Sequence, residues 1–270
     1  MRTIAFIGVG NMAGAIMGGM LRSGAIDHAH LVLSDKFPEK CADYVKNGAT
    51  RAASPAEAAA AADCVVLSVK PQNFGEILPE LAEVPDINRK LIITIAAGIP
   101  SETVKVTLHG APVVRVLPNT PMLIGEGVSV ICRADDVCAE DFAFVCSVFE
   151  ASGRVHIIDE SEMNRIISVT SSSPAYVFAF IGAILEGARA QGLSEDGLRD
   201  AICDVVIGSA ALLKSGSMTP EEQIAVVTSK GGTTERAMAV LRDCDMAGMV
   251  LKAMQACTAR AEEMDRASRG

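Results

Sequence analysis

The stretch Ile4-Ala5-Phe6-Ile7-Gly8-Val9-Gly10-Asn11-Met12-Ala13 decides the fold. Four apolar residues make a strand, and a Gly-x-Gly-x-x-Ala turn leads straight into a helix over Met12–Ser23 that is rich in Ala, Gly and Met. In such a turn the first glycine permits the tight bend and the second lets backbone approach a pyrophosphate. A small residue at the third position lets the helix pack closely on the strand. Unpaired N–H groups at the helix start then face the anion. Gly8, Gly10, Asn11, Met12 and Ala13 are therefore expected to hold a dinucleotide.

Outward from this turn, β-rich runs alternate with helical stretches as far as about residue 158. The runs are Thr3–Gly8, His30–Ser34, Cys64–Val69, Lys90–Ala96, Val113–Leu117, Val128–Cys132 and Val155–Ile158. Several are almost wholly Val, Ile and Leu, the pattern of parallel strands covered on both faces. Helical segments at Pro38–Asn47, Pro55–Ala62 and Ser101–Leu108 lie between them, so the expectation is an α/β, Rossmann-like doubly wound parallel sheet. After Asp159 the β-rich runs stop. Glu160–Ser171, Ala175–Gln191, Ser194–Lys214, Pro220–Thr228, Thr233–Asp243 and Met246–Ser268 carry apolar residues at three- and four-residue spacing. This change of pattern divides the chain into a dinucleotide-binding domain, 1–159, and an all-α domain, 160–270.

Composition narrows the partners. The 270 residues hold 24 basic and 33 acidic side chains, a net charge of −9, and neither half is basic. Nucleic acid is therefore not an expected partner. No unbroken apolar stretch approaches the roughly 20 residues needed to span a bilayer, and the start has no signal-peptide pattern, so a cytoplasmic protein away from membranes is expected. Eight cysteines show no metal-ligand spacing and read as free, mostly buried thiols, with no metal site. His28, His30, His109 and His156 lie outside every motif and read as surface or helix-end residues.

The second strand ends in Ser34-Asp35-Lys36, where cofactor choice is decided. Asp35 suits a ribose or the cap of the next helix, whereas Ser34 and Lys36 offer partners to the extra phosphate of NADPH. NADPH is the expected cofactor, with NADH as the alternative. Val69-Lys70-Pro71 and Pro118-Asn119-Thr120-Pro121 each follow an apolar strand, so both fall on the carboxyl edge where open α/β sheets bind ligands. Read without further context, Lys70 is equally a solvated strand-end lysine and the prolines shapers of a turn. Thr228-Ser229-Lys230-Gly231-Gly232-Thr233-Thr234 separates two helical patterns and reads either as a helix cap or as a carboxylate site at a helix start.

These motifs, with Ala96-Ala97-Gly98 and Ser173-Pro174-Ala175-Tyr176-Val177-Phe178, resemble the pyrroline-5-carboxylate reductase family in order and spacing over nearly the whole chain. The resemblance implies NAD(P)H-dependent reduction of a cyclic imine, 1-pyrroline-5-carboxylate, to proline. It implies that Val69, Lys70, Pro71, Ala97, Asn119 and Thr120 line the nicotinamide half of the cofactor. Ser229, Gly231, Gly232, Thr233 and Thr234 would hold the substrate carboxylate, with Thr234 contacting the imine nitrogen. It also implies a homo-oligomer built from dimers interlocked through the helical half, in which Ala175–Leu185 is apolar all round. The chain departs from the family where Ser171 and Ser173 replace glycines, where Lys230 replaces a proline, and where Pro55 stands for an asparagine. Reduction of another cyclic imine or of a keto acid, and a catalytically silent dinucleotide sensor, are the competing expectations.

Overall fold

The computed structural model describes residues 1–268; residues 269–270, the end of the expected second domain, lie outside them. Eight strands form one sheet: β1 (Ile4–Ile7), β2 (Leu31–Ser34), β3 (Thr50–Arg51), β4 (Cys64–Leu67), β5 (Leu91–Thr94), β6 (Val113–Leu117), β7 (Gly127–Cys132) and β8 (Gly153–Ile158). Their spatial order is β3-β2-β1-β4-β5-β6-β7-β8. Every pairing is parallel except that of β6 with β7. The sheet is doubly wound and parallel, as expected, apart from that one pair. The reversal is made by a short 3-10 turn, Thr120–Ile124, which leaves no room for a crossover helix.

Helices α1 (Asn11–Ser23), α2 (Ala42–Lys46), α3 (Pro55–Ala60), α4 (Phe74–Ala82), α5 (Ser101–Thr107) and α6 (Ala139–Glu150) cover the sheet. Alternation along β1 divides the core. Ile4 and Phe6 join the cluster under α1 and α6, while Ala5 and Ile7 join the one under α3, α4 and α5. Burial on both faces is why β1, β4 and β5 are almost wholly apolar.

Helices α7 (Met163–Ile166), α8 (Ser173–Ala190), α9 (Leu198–Ser215), α10 (Pro220–Val227), α11 (Thr233–Asp243) and α12 (Met246–Ser268) follow, with a π-turn at Ile167–Ser171 between α7 and α8. The chain forms two compact units. One comprises Met1–Pro174 with the segment from Cys257 onward, the other Ala175–Ala256. The first unit thus recruits the end of α12. Ala261 shares a core with Leu117, Val130, Met163 and Ile167. At Gly98, where φ is +70°, an added Cβ would lie 2.5 Å from Met264 Cβ.

In the second unit only Ala188 and Ile202 are buried among the described residues, while Phe178, Val205 and Ile207 are each about two-thirds exposed. The helical run Glu160–Ala190 is long and apolar enough, by length and composition alone, to cross a membrane. This departs from the expectation of no such segment; no charge falls between Arg165 and Glu186, and the hydroxyl run Thr170-Ser171-Ser172-Ser173 interrupts the apolar residues.

A buried polar network joins the sheet to the start of the helical part. Arg115 on β6 is 1% exposed and donates from Nη1 to Glu160 at 2.8 Å and from Nη2 to Asn164 at 3.0 Å. Glu160 also accepts from the Ser101 hydroxyl at 3.0 Å and the Cys132 thiol at 2.9 Å, and Asn164 donates to Asp265 at 2.9 Å. Burial pushes the Glu160 carboxyl up, but the bonds from Cys132, Arg115 and Ser101 outweigh that and hold it below the ordinary carboxylate range.

A carboxyl with a lowered folded-state pKa contributes stability that is complete above its unfolded value and is lost as pH falls through the folded one. Glu160→Gln is therefore expected to cost about 1–2 kcal/mol near neutral pH, discounted for partial exposure, with the deficit shrinking in acid. Urea unfolding of both proteins between about pH 3 and pH 7 checks this. A deficit that does not change with pH would assign the effect to packing.

Candidate functional site

Strands β2, β1, β4 and β5 end side by side, with Ser34, Ile7, Leu67 and Thr94 in register. The segments that follow, 35–37, 8–10, 68–71 and 95–98, therefore share one edge of the sheet. The strand order reverses between β1 and β4, and such a switch point is where open α/β sheets hold ligands.

At the centre of this edge Gly8 adopts φ +93°, and an added Cβ would sit 2.8 Å from Val69 Cγ1 and 2.9 Å from the Ser68 carbonyl oxygen. Its N–H donates to the Ser34 carbonyl at 2.7 Å. The Ser68 hydroxyl lies 2.7 Å from the Gly8 carbonyl and 3.1 Å from that of Ile7, donating to this pair. Asp35 completes the arrangement: its carboxylate accepts from Val9 N–H at 2.7 Å and Phe37 N–H at 2.9 Å, with Lys40 Nζ at 3.5 Å. Asp35 thus fastens the glycine turn to the end of β2.

Gly10 is the N-cap of α1, with no side-chain capping bond and no acid in the first turn. An added Cβ there meets nothing within 4 Å. The first N–H groups of α1 thus have no capping side chain, and they lie at the positive end of a helix dipole. Gly10 and Asn11 are exposed and Met12 is partly so; Ala13 is buried and serves the packing of helix on strand. These residues fit a dinucleotide pyrophosphate.

On the β2 side Ser34 is buried and Lys36 is exposed. The Lys36 and Lys40 ammonium groups lie 5.3 Å and 4.8 Å from the centre of the exposed Phe37 ring. Phe37 and Lys40 were missed from the sequence, although two lysines spaced around an aromatic are a legible cue. Ser54, beside Pro55, caps α3 by accepting from Glu57 N–H at 3.1 Å.

On the other side Val69 packs against Gly8, Lys70 is exposed, Pro71 opens a short 3-10 turn, and Ala97 is partly buried. Asn119, just beyond β6, has both ends of its amide engaged: Nδ2 donates to the Thr170 carbonyl at 3.1 Å, and Oδ1 accepts from Val128 N–H at 2.8 Å. Thr120 beside it is exposed. None of the four histidines lies in these segments; His30, for one, pairs with Asp27.

In the helical unit, residues 228–232 connect α10 to α11. Gly231 has φ +76°, and a Cβ on Gly232 would collide with Ser229, 2.4 Å from its Oγ. Gly232 caps α11 without a side-chain bond, so the helix start remains open beneath Thr233 and Thr234. Gly231 N–H is already engaged, donating to Glu235 Oε2 at 2.8 Å. All eight cysteines are free; Cys41, Cys64 and Cys132 are buried, whereas Cys138 and Cys244 are exposed, against the expectation of mostly buried thiols.

Comparison with known proteins extends these features over the whole chain. Residues 160–264 match a family model described as pyrroline-5-carboxylate reductase dimerisation, and residues 3–98 match one described as NADP oxidoreductase coenzyme F420-dependent. A pyrroline-5-carboxylate reductase of Vibrio alginolyticus is 35% identical over 98% of both chains. That of Escherichia coli is 31% identical over 98% of this chain and 99% of the relative. A Plasmodium falciparum pyrroline carboxylate reductase solved with NADP bound superposes with a TM-score of 0.89, at 25% identity and 98% coverage of each chain.

The two turn glycines are expected to fail differently. Gly8→Ala forces a side chain into Ser68 and Val69 and should lower stability by about 1–3 kcal/mol. Gly10→Ala should leave the thermal midpoint unchanged yet weaken NADPH binding, because its methyl projects into the anion cradle. Thermal unfolding together with NADPH fluorescence titration separates the two.

Proposed function

The chain belongs to the pyrroline-5-carboxylate reductase family, and from that premise we propose which of its residues carry each part of the reaction. The protein reduces 1-pyrroline-5-carboxylate to L-proline, the last step of proline biosynthesis, using NADPH. The observation that carries this conclusion is 35% identity over 98% of the chain with a reductase of that name, joined to a glycine turn whose helix start has no capping side chain.

NADPH supplies the hydride when bound. In our reading Gly8, Gly10, Asn11, Met12 and Ala13 form the pyrophosphate cradle. Gly10 and the first N–H groups of α1 face the anion, while Ala13 keeps the helix close to the sheet. Ser34 and Lys36, aided by Lys40, receive the adenosine phosphate, which the exposed ammonium groups beside Phe37 support. Val69, Lys70, Pro71, Ala97 and Thr120 border the nicotinamide. Asn119 positions that border, since its amide holds β7 and the π-turn together.

A protonated cyclic imine is already electrophilic, so the chain's task is to hold the imine carbon against the hydride donor and exclude water. Ser229, Gly232, Thr233 and Thr234 hold the substrate carboxylate at the uncapped start of α11, and Gly231 shapes the bend. Thr234 orients the imine nitrogen through its hydroxyl without titrating.

Residues 160–264 are a dimerisation region, and we place the functional boundary at 159/160, with 1–159 binding the dinucleotide and 160–270 providing the dimer contact and the substrate loop. We further propose that two subunits interlock through the exposed apolar residues of α8, α9 and α12, bringing one chain's substrate loop to its partner's cofactor. The sparse burial of the second unit supports this. Eight unpaired cysteines support a cytoplasmic setting.

Purified protein given pyrroline-5-carboxylate should oxidise NADPH; folded protein that oxidises neither NADPH nor NADH would overturn the activity. Thr234→Ala should lower kcat/KM by about ten- to a hundredfold, on the scale of one well-placed hydrogen bond. Lys36→Ala should raise KM for NADPH more than for NADH, and equal changes would argue against a phosphate contact there.

A further inference from the structure

Among the hydroxyls of Thr170-Ser171-Ser172-Ser173, one stands apart. Thr170 Oγ1 donates to the Ile166 carbonyl at 3.2 Å, Ser173 Oγ donates to the Thr170 carbonyl at 3.5 Å, and Ser172 Oγ lies 3.3 Å from Cys257 Sγ. Ser171 Oγ is shielded from solvent and has no partner.

The π-turn explains why. A helical serine ordinarily bonds back to the carbonyl four residues earlier, as Thr170 does. For Ser171 that carbonyl belongs to Ile167, and it already accepts Ser172 N–H at 2.9 Å across the widened turn. A buried hydroxyl left unpaired destabilises the fold that carries it, and a bound group able to pair with it would remove that penalty. π-turns inserted in helices recur at functional sites.

Position indicates which ligand. The Thr170 carbonyl is held by Asn119 Nδ2, which ties Ser171 to the chain emerging from β6, next to exposed Thr120. With the pyrophosphate at the start of α1 and the adenosine toward β2, the nicotinamide extends toward the β4–β6 side of the edge. Its carboxamide both donates and accepts hydrogen bonds, as a serine hydroxyl does.

We propose that the Ser171 hydroxyl is a cofactor-binding group of this chain, completing its hydrogen bonding with the carboxamide of the bound nicotinamide. The inference rests on the cofactor placement given above. It concerns a residue where the chain departs from the glycine usual in the resemblance described earlier.

Ser171→Ala and Ser171→Gly are titrated with NADPH and with 2′-phospho-ADP-ribose, the fragment lacking the nicotinamide, and the thermal midpoint and subunit association of the ligand-free proteins are measured. NADPH affinity should fall about five- to tenfold in both variants while fragment affinity stays unchanged. The ligand-free midpoint of Ser171→Ala should equal or exceed that of the parent, because an unpaired polar group has been removed. Unchanged NADPH affinity in the alanine variant, with the parent enzyme turning over normally, overturns the role of Ser171 alone. Equal losses for NADPH and the fragment overturn it too, as does a lowered midpoint or weakened subunit association with affinity retained. A parent protein that neither binds NADPH nor reduces pyrroline-5-carboxylate overturns the cofactor placement, and this role with it.

Discussion

The absence of a side chain at Gly8 is the constraint on which the site depends. Because no Cβ stands between them, the ends of β1 and β4 approach within contact distance, and the Gly8 N–H reaches the end of β2. Ser68 and Asp35 then fasten the same turn from either side. Three strand ends are pinned at one place by backbone and short side chains. The start of α1 is thereby fixed in direction, and with it the row of free N–H groups that can face an anion. The pyrophosphate cradle proposed above follows from that fixed helix start.

Much of this was legible in the sequence because the requirements are local. A strand buried on both faces must be uniformly apolar, and a turn that brings two strand ends together must be glycine, so β1, β2, β4, β5 and β6 were readable. What the sequence concealed depends on distant partners. The mostly apolar runs of β6 and β7 look alike in either direction, so their antiparallel pairing is set by a five-residue turn that cannot be recognised until the strands are placed. The two residues of β3 are too few to make a pattern. Helix α4 carries an internal proline, Pro79, and α6 is capped by a cysteine, Cys138, in place of the usual hydroxyl or carboxamide, so neither has the regular pattern of a helix.

Site residues divide in the same way. The glycine turn and Lys36 beside β2 declare themselves by type and spacing. Asp35 read as a ribose ligand or a cap, and its bond to Val9 N–H spans 26 residues that no local pattern records. Asn119 read as a cofactor ligand, and its amide is occupied by the backbone of Thr170 and Val128. Polar side chains that hold loops together and those that hold ligands have the same composition; only the location of their hydrogen-bond partners distinguishes them.

The end of α12 carries a further consequence. Ala261, Met264 and Asp265 lie against Leu117, Gly98 and Asn164, so the nucleotide-binding unit is closed by residues that the chain reaches only after traversing the whole helical unit. The two parts are therefore not interchangeable cassettes. A fragment ending at residue 159, where the strand pattern gives way to helices, would expose an apolar seam and leave buried Arg115 without Glu160 and Asn164. During synthesis, the first unit stays unfinished until the last two turns of α12 have left the ribosome.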